Sequence, residues 1–485
     1  MAQEFSVRLA NENDIKKVFN LSNDDTVRQY SFNKEKIKWD DHTKWFNERI
    51  KNTNEPFFIA EDSNGNFIAQ VRIDKKEETT ISISITEHFR GRGLARYIIR
   101  ECSQKAGFRN IIAYVKPENQ ASLKSFINAG YKQTGTKDGY YKLEFNQDRV
   151  YIIAEMSANH CGDMELAKKI IKKAKEIGAD AVKIQTYTAD TITIDCNNEE
   201  FRINDENSLW NGENLYKLYQ KAYTPWEWQG ELKKYADEIG IDFFSTPFDY
   251  SAVDFLESIN VPLYKIASFE AIDYPLIKYA ASKGKPMIIS TGISSFEEIQ
   301  KAIDACRSVG NNDITILKCT SAYPAKLEDM NLKTIKDMVE KFGSQGVKVG
   351  LSDHSMSIVP PVSAVVLGAK VIEKHLTLDR SLGGADSGFS LEPKEFEEMI
   401  KAVRDTEKVL GSVDYSINKK NRKFARSLYV VKDIKKGEIL TKENIRSIRP
   451  SNGLLPEYYE EVLGKKAKED IKFGTPLKLE YLEQE

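Results

Sequence analysis

Two of the five histidines in this 485-residue chain, His354 and His375, each close an apolar run, "KVGLSDH" and "KVIEKHL". Two imidazoles at neighbouring strand ends lie within reach of one cation, whereas a lone histidine is more often packed core. The second run also sets Glu373 and Lys374 beside His375, an acid and a base inside what reads as a buried strand. These polar residues are expected to face a pocket. The same pattern closes six other runs, at Glu155, at Lys183 and Gln185, at Ser245 and Thr246, at Lys265 and Ser268, at Ser290 and Thr291, and at Thr320 and Ser321; Ser352 and Asp353 precede His354. Taken singly, a Ser or Thr there marks only where a strand turns polar. Lys183 and Lys265 say more, because a lysine is rarely buried unless it meets an anion. Lysines with hydroxyls suit phosphate and carboxylate, and a divalent cation suits polarising a carbonyl. The implied chemistry joins an anionic, phosphorylated partner to a carbonyl compound.

Such residues need a scaffold that gathers many strand ends. Between 150 and 410 one unit recurs: a short Val/Ile-rich run, polar residues, then a helix with apolar spacing near 3.6, as in "DMELAKKIIKKAKEIG" and "SFEEIQKAIDACRSVG". Strands of this kind alternating with helices are parallel and buried on both faces. The repeat predicts a (β/α)8 barrel, whose chemistry sits at the carboxyl ends of the strands. A longer connection is expected after the second strand, around 190–222.

Composition narrows the function classes. A net charge of −2 implies no general attraction to nucleic acid or an anionic membrane, and no apolar run is long enough to span a bilayer. The amino terminus lacks the pattern of a signal peptide. Cys102, Cys161, Cys196, Cys306 and Cys319 are scattered without a C-x-x-C, as reduced thiols in a cytoplasm are.

The segments "AEMSANHCGDMELAKKII", "GADAVKIQTYT", "FFSTPFD", "YKIASFE", "STGI", "LKCTSAYPA", "GLSDHS" and "VIEKHLTLDRSLGGADSGFSLEP" closely resemble the sialic acid synthase family, from 150 to about 480. "AEMSANH", "YTPWEW" and "KCTSAYPA" look like its pseudaminic acid branch; Cys161 stands where the sialic and legionaminic branches have Asn. The resemblance implies condensation of phosphoenolpyruvate with 2,4-diacetamido-2,4,6-trideoxy-L-altrose, giving a nine-carbon 2-keto acid and phosphate. It implies His354 and His375 as ligands of a divalent metal, with manganese usual and magnesium or cobalt able to serve. Lys183, Thr246 and Ser352 match positions holding the phosphoenolpyruvate carboxylate. Lys265, Ser268, Ser290 and Ser321 match those around its phosphate, Ser321 departing from an Asn. Glu155, Gln185, Tyr323, Glu373 and Asp386 match positions near the sugar and the reacting carbons; either Glu155 or Glu373 steers water or stabilises charge.

A charged stretch at 412–424 reads as a linker. Beyond it, 425–485 carries short β runs with Gly turns and looks like the SAF (antifreeze-like) domain that ends these synthases. There the family implies a domain-swapped homodimer, with Arg449 of "RPSNG" entering the neighbouring subunit's sugar pocket.

The first 147 residues read differently. "FFIAEDSNGNFIAQVRID" is a hairpin around Asn-Gly, and "ETTISISIT" is a strand followed by "EHFRGRGLARYIIRECSQKAG". A strand, a Gly-rich turn and a helix leave free amides where a pyrophosphate can sit. Arg90, Gly91, Arg92, Gly93, Leu94 and Ala95 resemble the acetyl-CoA loop of the GNAT N-acetyltransferases, and Asn119 and Ser122 their later N-x-x-S helix. Phe126 stands where many members have a general-acid Tyr; Tyr131, Tyr140 and Tyr141 are the candidate substitutes. His42 and Trp45 resemble an amino-sugar acceptor region, with core packing the plainer reading of Trp45. The fusion implies an amino-sugar nucleotide as acceptor, and surface or flagellar glycans as the destination.

The expected organisation is thus α/β throughout, with a GNAT domain at 1–147, a barrel at 148–411, a linker and a small, mainly-β domain. Two alternatives stay open. The GNAT-like domain is a non-catalytic binding module beside a sialic or legionaminic synthase, or the barrel is a Schiff-base aldolase using Lys183 or Lys265.

Overall fold

The computed structural model describes residues 5–108, 110–146, 148–204, 210–411, 413–416 and 419–483. They form two compact units, Met1–Leu410 and Gly411–Glu485.

The first unit opens with a seven-stranded sheet: β1 (Ser6–Leu9), β2 (Phe57–Glu61), β3 (Phe67–Lys75), β4 (Thr79–Ile85), β5 (Asn110–Val115), β6 (Lys132–Lys137) and β7 (Tyr140–Asn146), ordered β1-β2-β3-β4-β5-β7-β6. The β2–β3 hairpin turns at 62–66, where Gly65 takes a left-handed φ of 77°. β4 and β5 run parallel and share one register pair, Thr80 with Ile112, so they part beyond it. Helices Ala95–Lys105 and Gln120–Asn128 follow β4 and β5. Ile98, Ile99 and Cys102 of the first bury against Val71, Ile81, Ile111 and Ala113 of the sheet.

Eight parallel strands then close a barrel: β8 (Tyr151–Glu155), β9 (Ala181–Thr186), β10 (Asp242–Pro247), β11 (Tyr264–Ile266), β12 (Met287–Ser290), β13 (Ile314–Cys319), β14 (Lys348–Asp353) and β15 (Val371–His375). β15 pairs back onto β8, with Glu373 opposite Ile153 and His375 opposite Glu155. The helices bury one apolar stripe each: Met164–Glu176 covers the barrel with Ala167, Ile170, Ile171 and Ala174 and is capped by Asp163. The connection after β9 is partly helical, with Ala189–Ile192 and Leu215–Ala222 inside the expected loop.

The amino-terminal sheet joins the barrel at the strands' amino ends. Arg96 and Arg100, from the helix that follows the Gly-rich loop, pair with Asp237 at 3.0 Å and Asp242 at 2.8 Å. Tyr151 donates its hydroxyl to the same Asp242 at 2.7 Å. Asp180 accepts from Arg149 at 2.5 Å, Arg404 at 2.8 Å and the Ile152 amide at 3.0 Å.

In the second unit β16 (Ser427–Val430) pairs antiparallel with β17 (Ile445–Ile448) over a core that includes Leu428, Val430, Leu440, Ile445 and Leu477. The expected linker contains a short helix, Lys419–Arg422, while 412, 417 and 418 lie outside the described residues. All five cysteines are free, and no helix among the described residues is long and apolar enough to cross a membrane.

Candidate active sites

Period-two alternation decides which strand-end residues share the barrel's carboxyl-end pocket. Glu155, Lys183, Lys265, Glu373 and Thr246 converge there, all buried. The Lys183 ammonium touches the Glu155 carboxylate, lies 3.9 Å from Glu373 and donates to Thr246 Oγ1 at 3.2 Å. Lys265 lies 3.7 Å from Glu373 and donates to Ser290 Oγ at 2.6 Å. Ser352 Oγ donates to Glu373 Oε1 at 3.0 Å.

Lys374 corrects the expectation that the whole Glu-Lys-His triplet faces the pocket. Alternation turns it outward, where it donates to Asp353 and to the Ser355 carbonyl, each at 2.5 Å. Ser245 also leaves the pocket, bonded at 2.6 Å to Thr186, which reaches Gln229 of the outer helix Trp226–Ile239. Thr291 is tied down at 3.0 Å to the Leu317 carbonyl.

The electrostatics are uneven. Burial pushes Glu155 up to about 7, against Lys183 and with repulsion from Glu373. Burial also opposes charge on Glu373, but Lys183 and Lys265 hold it below the usual carboxylate range. Two carboxylates around two ammoniums thus split into one easily protonated and one firmly ionised group. Burial disfavours the Lys183 charge, yet Glu155 and Glu373 raise its pKa; burial lowers that of Lys265. Glu155 Oε1 and Glu373 Oε2 are buried without a hydrogen-bond partner among the described residues.

Beside the lysines is a small cradle. A Cβ at Gly292 would collide with the hydroxyls of Ser268 and Ser321, so only glycine brings its backbone this close. Its amide donates to Ser268 Oγ at 3.2 Å. Cys319 lines the same place; burial pushes its thiol up, but His354 and Ser268 outweigh that and leave it at about 7.

The rings of His354 and His375 lie 5.4 Å apart, both buried. His354 Nδ1 sits 3.1 Å from the Thr320 carbonyl, which fixes the tautomer that leaves Nε2 bare. His375 Nδ1 is buried without a partner, and burial with nearby positive charge keeps the ring neutral. Burial disfavours charge on His354, but Cys319 and the Thr320 carbonyl raise its pKa, so a divalent cation held between the two imidazoles would displace the His354 proton. No group of three or more His, Cys, Asp or Glu among the described residues could hold a metal, so its other positions would fall to water or substrate oxygens. Tyr323 packs 4.3 Å from the His354 ring, Phe389 4.8 Å from that of His375, and Trp210 5.7 Å from Tyr323. Asp386 is buried beside Ser157, and Gln185 is half-buried at the end of β9.

Four neighbours escaped the sequence reading. Phe389 and Cys319 lie in quoted motifs and Trp210 in the long connection after β9, but all three look apolar or inert. Glu270 ends "YKIASFE", two residues beyond Ser268; burial pushes it up to about 7 and its Oε2 has no partner. A carboxylate so close to a strand end was the available signal.

The amino-terminal sheet presents a second arrangement. Arg90 donates to the Ile85 carbonyl at 2.9 Å and pairs with Asp24 at 2.7 Å. Gly91 and Gly93 take left-handed φ values of 75° and 76°, and no side chain caps the helix that starts at Ala95. Arg92 lies over Phe89, Gly91 and Gly93 are exposed and Leu94 is buried. Asn119 caps helix Gln120–Asn128 by accepting the Ser122 amide at 3.1 Å. Tyr131 cannot replace the missing tyrosine: it is core, bonded to Ser103 at 2.7 Å and packed on Phe126. Tyr140 and Tyr141 are half-buried on β7. His42 is core too, bonded at 2.9 Å to the Ile15 carbonyl.

In the second unit Arg449 is exposed. Its turn is built by Ser427, which donates to the Pro450 carbonyl at 2.7 Å and accepts the Gly453 amide at 2.9 Å. A Cβ at Gly453 would collide with the Leu428 carbonyl.

Residues 170–415 match the NeuB family, 425–483 the SAF domain and 5–132 a GNAT acetyltransferase domain. The chain is 51% identical over 338 residues to the pseudaminic acid synthase of Campylobacter jejuni strain 81-176, covering 69% of this chain and 97% of that protein. It is 48% identical over 337 residues to the pseudaminic acid synthase of Helicobacter pylori, covering 69% and 98%. The crystal structure of N-acetylneuraminic acid synthetase from Leptospira borgpetersenii, in complex with citrate, is 31% identical with a TM-score of 0.50, covering 60% of this chain and 94% of that one. The chain belongs to the NeuB family of sialic acid synthases, with a GNAT domain before the barrel and a SAF domain after it.

Proposed function

We propose that the chain is a pseudaminic acid synthase, condensing phosphoenolpyruvate with 2,4-diacetamido-2,4,6-trideoxy-L-altrose to give pseudaminic acid and phosphate. One observation carries the reading: Lys183 and Lys265 converge, buried, on Glu373 beside the glycine cradle at Gly292. That is a place for a small molecule with two anionic ends. The 51% identity to a pseudaminic acid synthase, against 31% to the sialic acid synthetase, favours this sugar over its relatives.

Lys183, Thr246 and Ser352 hold the carboxylate of phosphoenolpyruvate. Lys265, Ser268, Ser290 and Ser321 hold its phosphate. His354 and His375 would hold a divalent cation, manganese foremost, which polarises the sugar aldehyde when bound. The phosphoenolpyruvate methylene forms a bond to the aldehyde carbon, water adds to the enol carbon, and phosphate departs with its bridging oxygen. Glu373, held ionised by two ammoniums, faces the positive charge that develops at the enol carbon. Glu155, with a pKa of about 7, can take a proton from the incoming water. Gln185, Tyr323 and Asp386 position the sugar, and Arg449 of the partner chain in a swapped homodimer reaches its acetamido group. The Schiff-base alternative needs a neutral lysine: Lys183 is held as an ammonium by two carboxylates, whereas burial lowers Lys265, and borohydride trapping with substrate tests it there.

The GNAT domain, from 1 to about 147, acetylates the amino-sugar nucleotide earlier in the same route, with acetyl-CoA on the Gly-rich loop. A binding-module reading is favoured by one observation, the apolar burial of Phe126. Acetyl-CoA consumption with the 4-amino nucleotide sugar separates the two. For the barrel, the test is phosphate release from phosphoenolpyruvate across a panel of N-acetylated hexoses. Release that depends on the altrose and on a divalent cation is expected; equal or faster release with N-acetylmannosamine would overturn the assignment. Arg449→Ala and His375→Ala chains, each inactive alone, should regain activity as a verified heterodimer.

A further inference from the structure

Helices Ala95–Lys105 and Gln120–Asn128 pack on one face of the GNAT sheet; on the other, Phe57 and Ile59 of β2 bury against Val18 and Phe46, and that face turns polar on β3 and β4. Alternation on β3 places Gln70, Arg72 and Asp74 on the polar face, and the register sets Ser84, Ser82 and Thr80 of β4 beside them. Arg72 donates from Nε to Ser82 Oγ at 3.2 Å, and its guanidinium lies 5.5 Å from the centre of the Trp45 ring. Among the described residues no carboxylate pairs with it: Asp74 is held at 2.9 Å by Arg49. Arg28, in helix Asp25–Tyr30, gives Nη1 to the carbonyls of Asn33 and Glu35, both at 3.2 Å. Its Nε is buried without a partner, and it too has no carboxylate among the described residues. Gln70 Oε1 on the same face is buried and unpartnered.

Burial weakens the charge on both arginines; at Arg72 the attraction of Asp74 offsets part of this, and repulsion from Arg49 and Arg28 adds to it. Asp74 is one carboxylate shared by Arg49 and Arg72, and sheltered cations short of counter-charge cost free energy that a bound anion returns. Guanidinium donors in forked geometry match phosphate oxygens, and a half-buried indole beside them suits a base or sugar ring. The position is apt for an acceptor. β4 and β5 part after Thr80 and Ile112, and Asp24, which caps the helix carrying Arg28, is gripped by Arg90 of the Gly-rich loop at 2.7 Å.

We propose that Arg28 and Arg72 form an anion subsite in the GNAT domain that holds the diphosphate of a nucleotide-linked acceptor, with Trp45 beside it. This rests on the acetyltransferase reading above for the acceptor's identity, but the subsite itself is testable without turnover.

The experiment is calorimetry on the full chain saturated with coenzyme A and phosphoenolpyruvate, so that other phosphate sites are filled, using inorganic pyrophosphate and uridine diphosphate as probes. Binding of both is expected, with Arg28→Gln and Arg72→Gln each weakening it at least tenfold and coenzyme A affinity changing less than twofold. Thermal unfolding checks the fold, and Arg28, on a surface helix, keeps the test decisive where Arg72→Gln is unstable. No binding of either probe, or binding unchanged in Arg28→Gln and in any folded Arg72→Gln, overturns the proposal. Arginine-dependent binding without acetyl transfer to any nucleotide sugar upholds the subsite and removes the acetyltransferase reading. Acetylation of phosphate-free amino sugars with the same KM in parent and variants does the reverse.

Discussion

The two rims of the barrel treat charge in opposite ways. At the amino ends of the strands, Asp180 accepts three hydrogen bonds and Asp242 is shared by Arg100 and Tyr151. At the carboxyl ends, Glu155 Oε1, Glu373 Oε2 and His375 Nδ1 lack hydrogen-bond partners among the described residues despite their burial. An amino-rim carboxylate is satisfied by the chain itself, and Asp242 also fastens the GNAT domain through Arg100. A carboxyl-rim group is left for something the chain does not supply. Buried polar atoms are costly without partners, so a rim that leaves several open is organised for a ligand, and its stability is spent on function.

The largest effect that should separate the rims is on turnover. His375→Ala removes one of two imidazoles at the carboxyl rim, and phosphate release is expected to fall by about 10³-fold or more, roughly 4 kcal/mol of barrier, with the unfolding midpoint nearly unchanged. Activity near that of the parent would detach the histidines from the chemistry. Asp180→Ala at the other rim should do the converse. It removes the carboxylate of Arg149 and one of the two that Arg404 pairs with, Glu407 remaining, and costs about 3 kcal/mol of stability, read by denaturant unfolding, while phosphate release per folded molecule stays the same. Loss of activity without loss of stability would contradict the division.

A third effect is read by acid. His160, at the carboxyl rim, accepts the Gly162 amide at Nδ1 and meets Thr224 at Nε2, both 3.1 Å, and burial lowers it from 6.5 to about 4. The unfolded chain therefore binds a proton that the folded one refuses between those values. Stability is full above pH 6.5 and falls as pH drops toward 4, by on the order of 3 kcal/mol. His160→Gln should flatten that slope in unfolding curves measured from pH 7 to 4; an equally steep slope would assign it elsewhere. Asp242 at the amino rim is also shifted down, with Arg100 overcoming burial to hold it below the usual carboxylate range, so its contribution persists to lower pH.

The smallest effect is on substrate affinity. Lys265→Ala leaves Lys183 in place and should raise the KM for phosphoenolpyruvate about 10- to 100-fold, the loss of one charge-assisted contact. An unchanged KM would move Lys265 out of the anion cradle.

Sequence by itself determined the barrel, because eight Val/Ile runs alternating with amphipathic helices admit few other arrangements, and it marked the strand ends where Glu155, Lys183, Lys265, His354 and His375 gather. It also marked the Gly-rich turn and the hairpin at Asn64 and Gly65, whose local backbone demands are written in residue types. Only the tertiary structure decided which side chains meet. Glu373 and Lys374 are neighbours in the chain, yet one enters the pocket and the other pairs with Asp353 outside, because strand alternation gains direction only once the barrel closes. The same holds for Phe389, Trp210 and Glu270, whose place depends on loops from different strands, and for Arg28 and Arg72, whose lack of carboxylate partners is a property of packing rather than of spacing. Charge pairing at the amino rim was equally hidden, since Arg100 and Asp242 stand 142 positions apart and meet only when a separate sheet docks on the barrel.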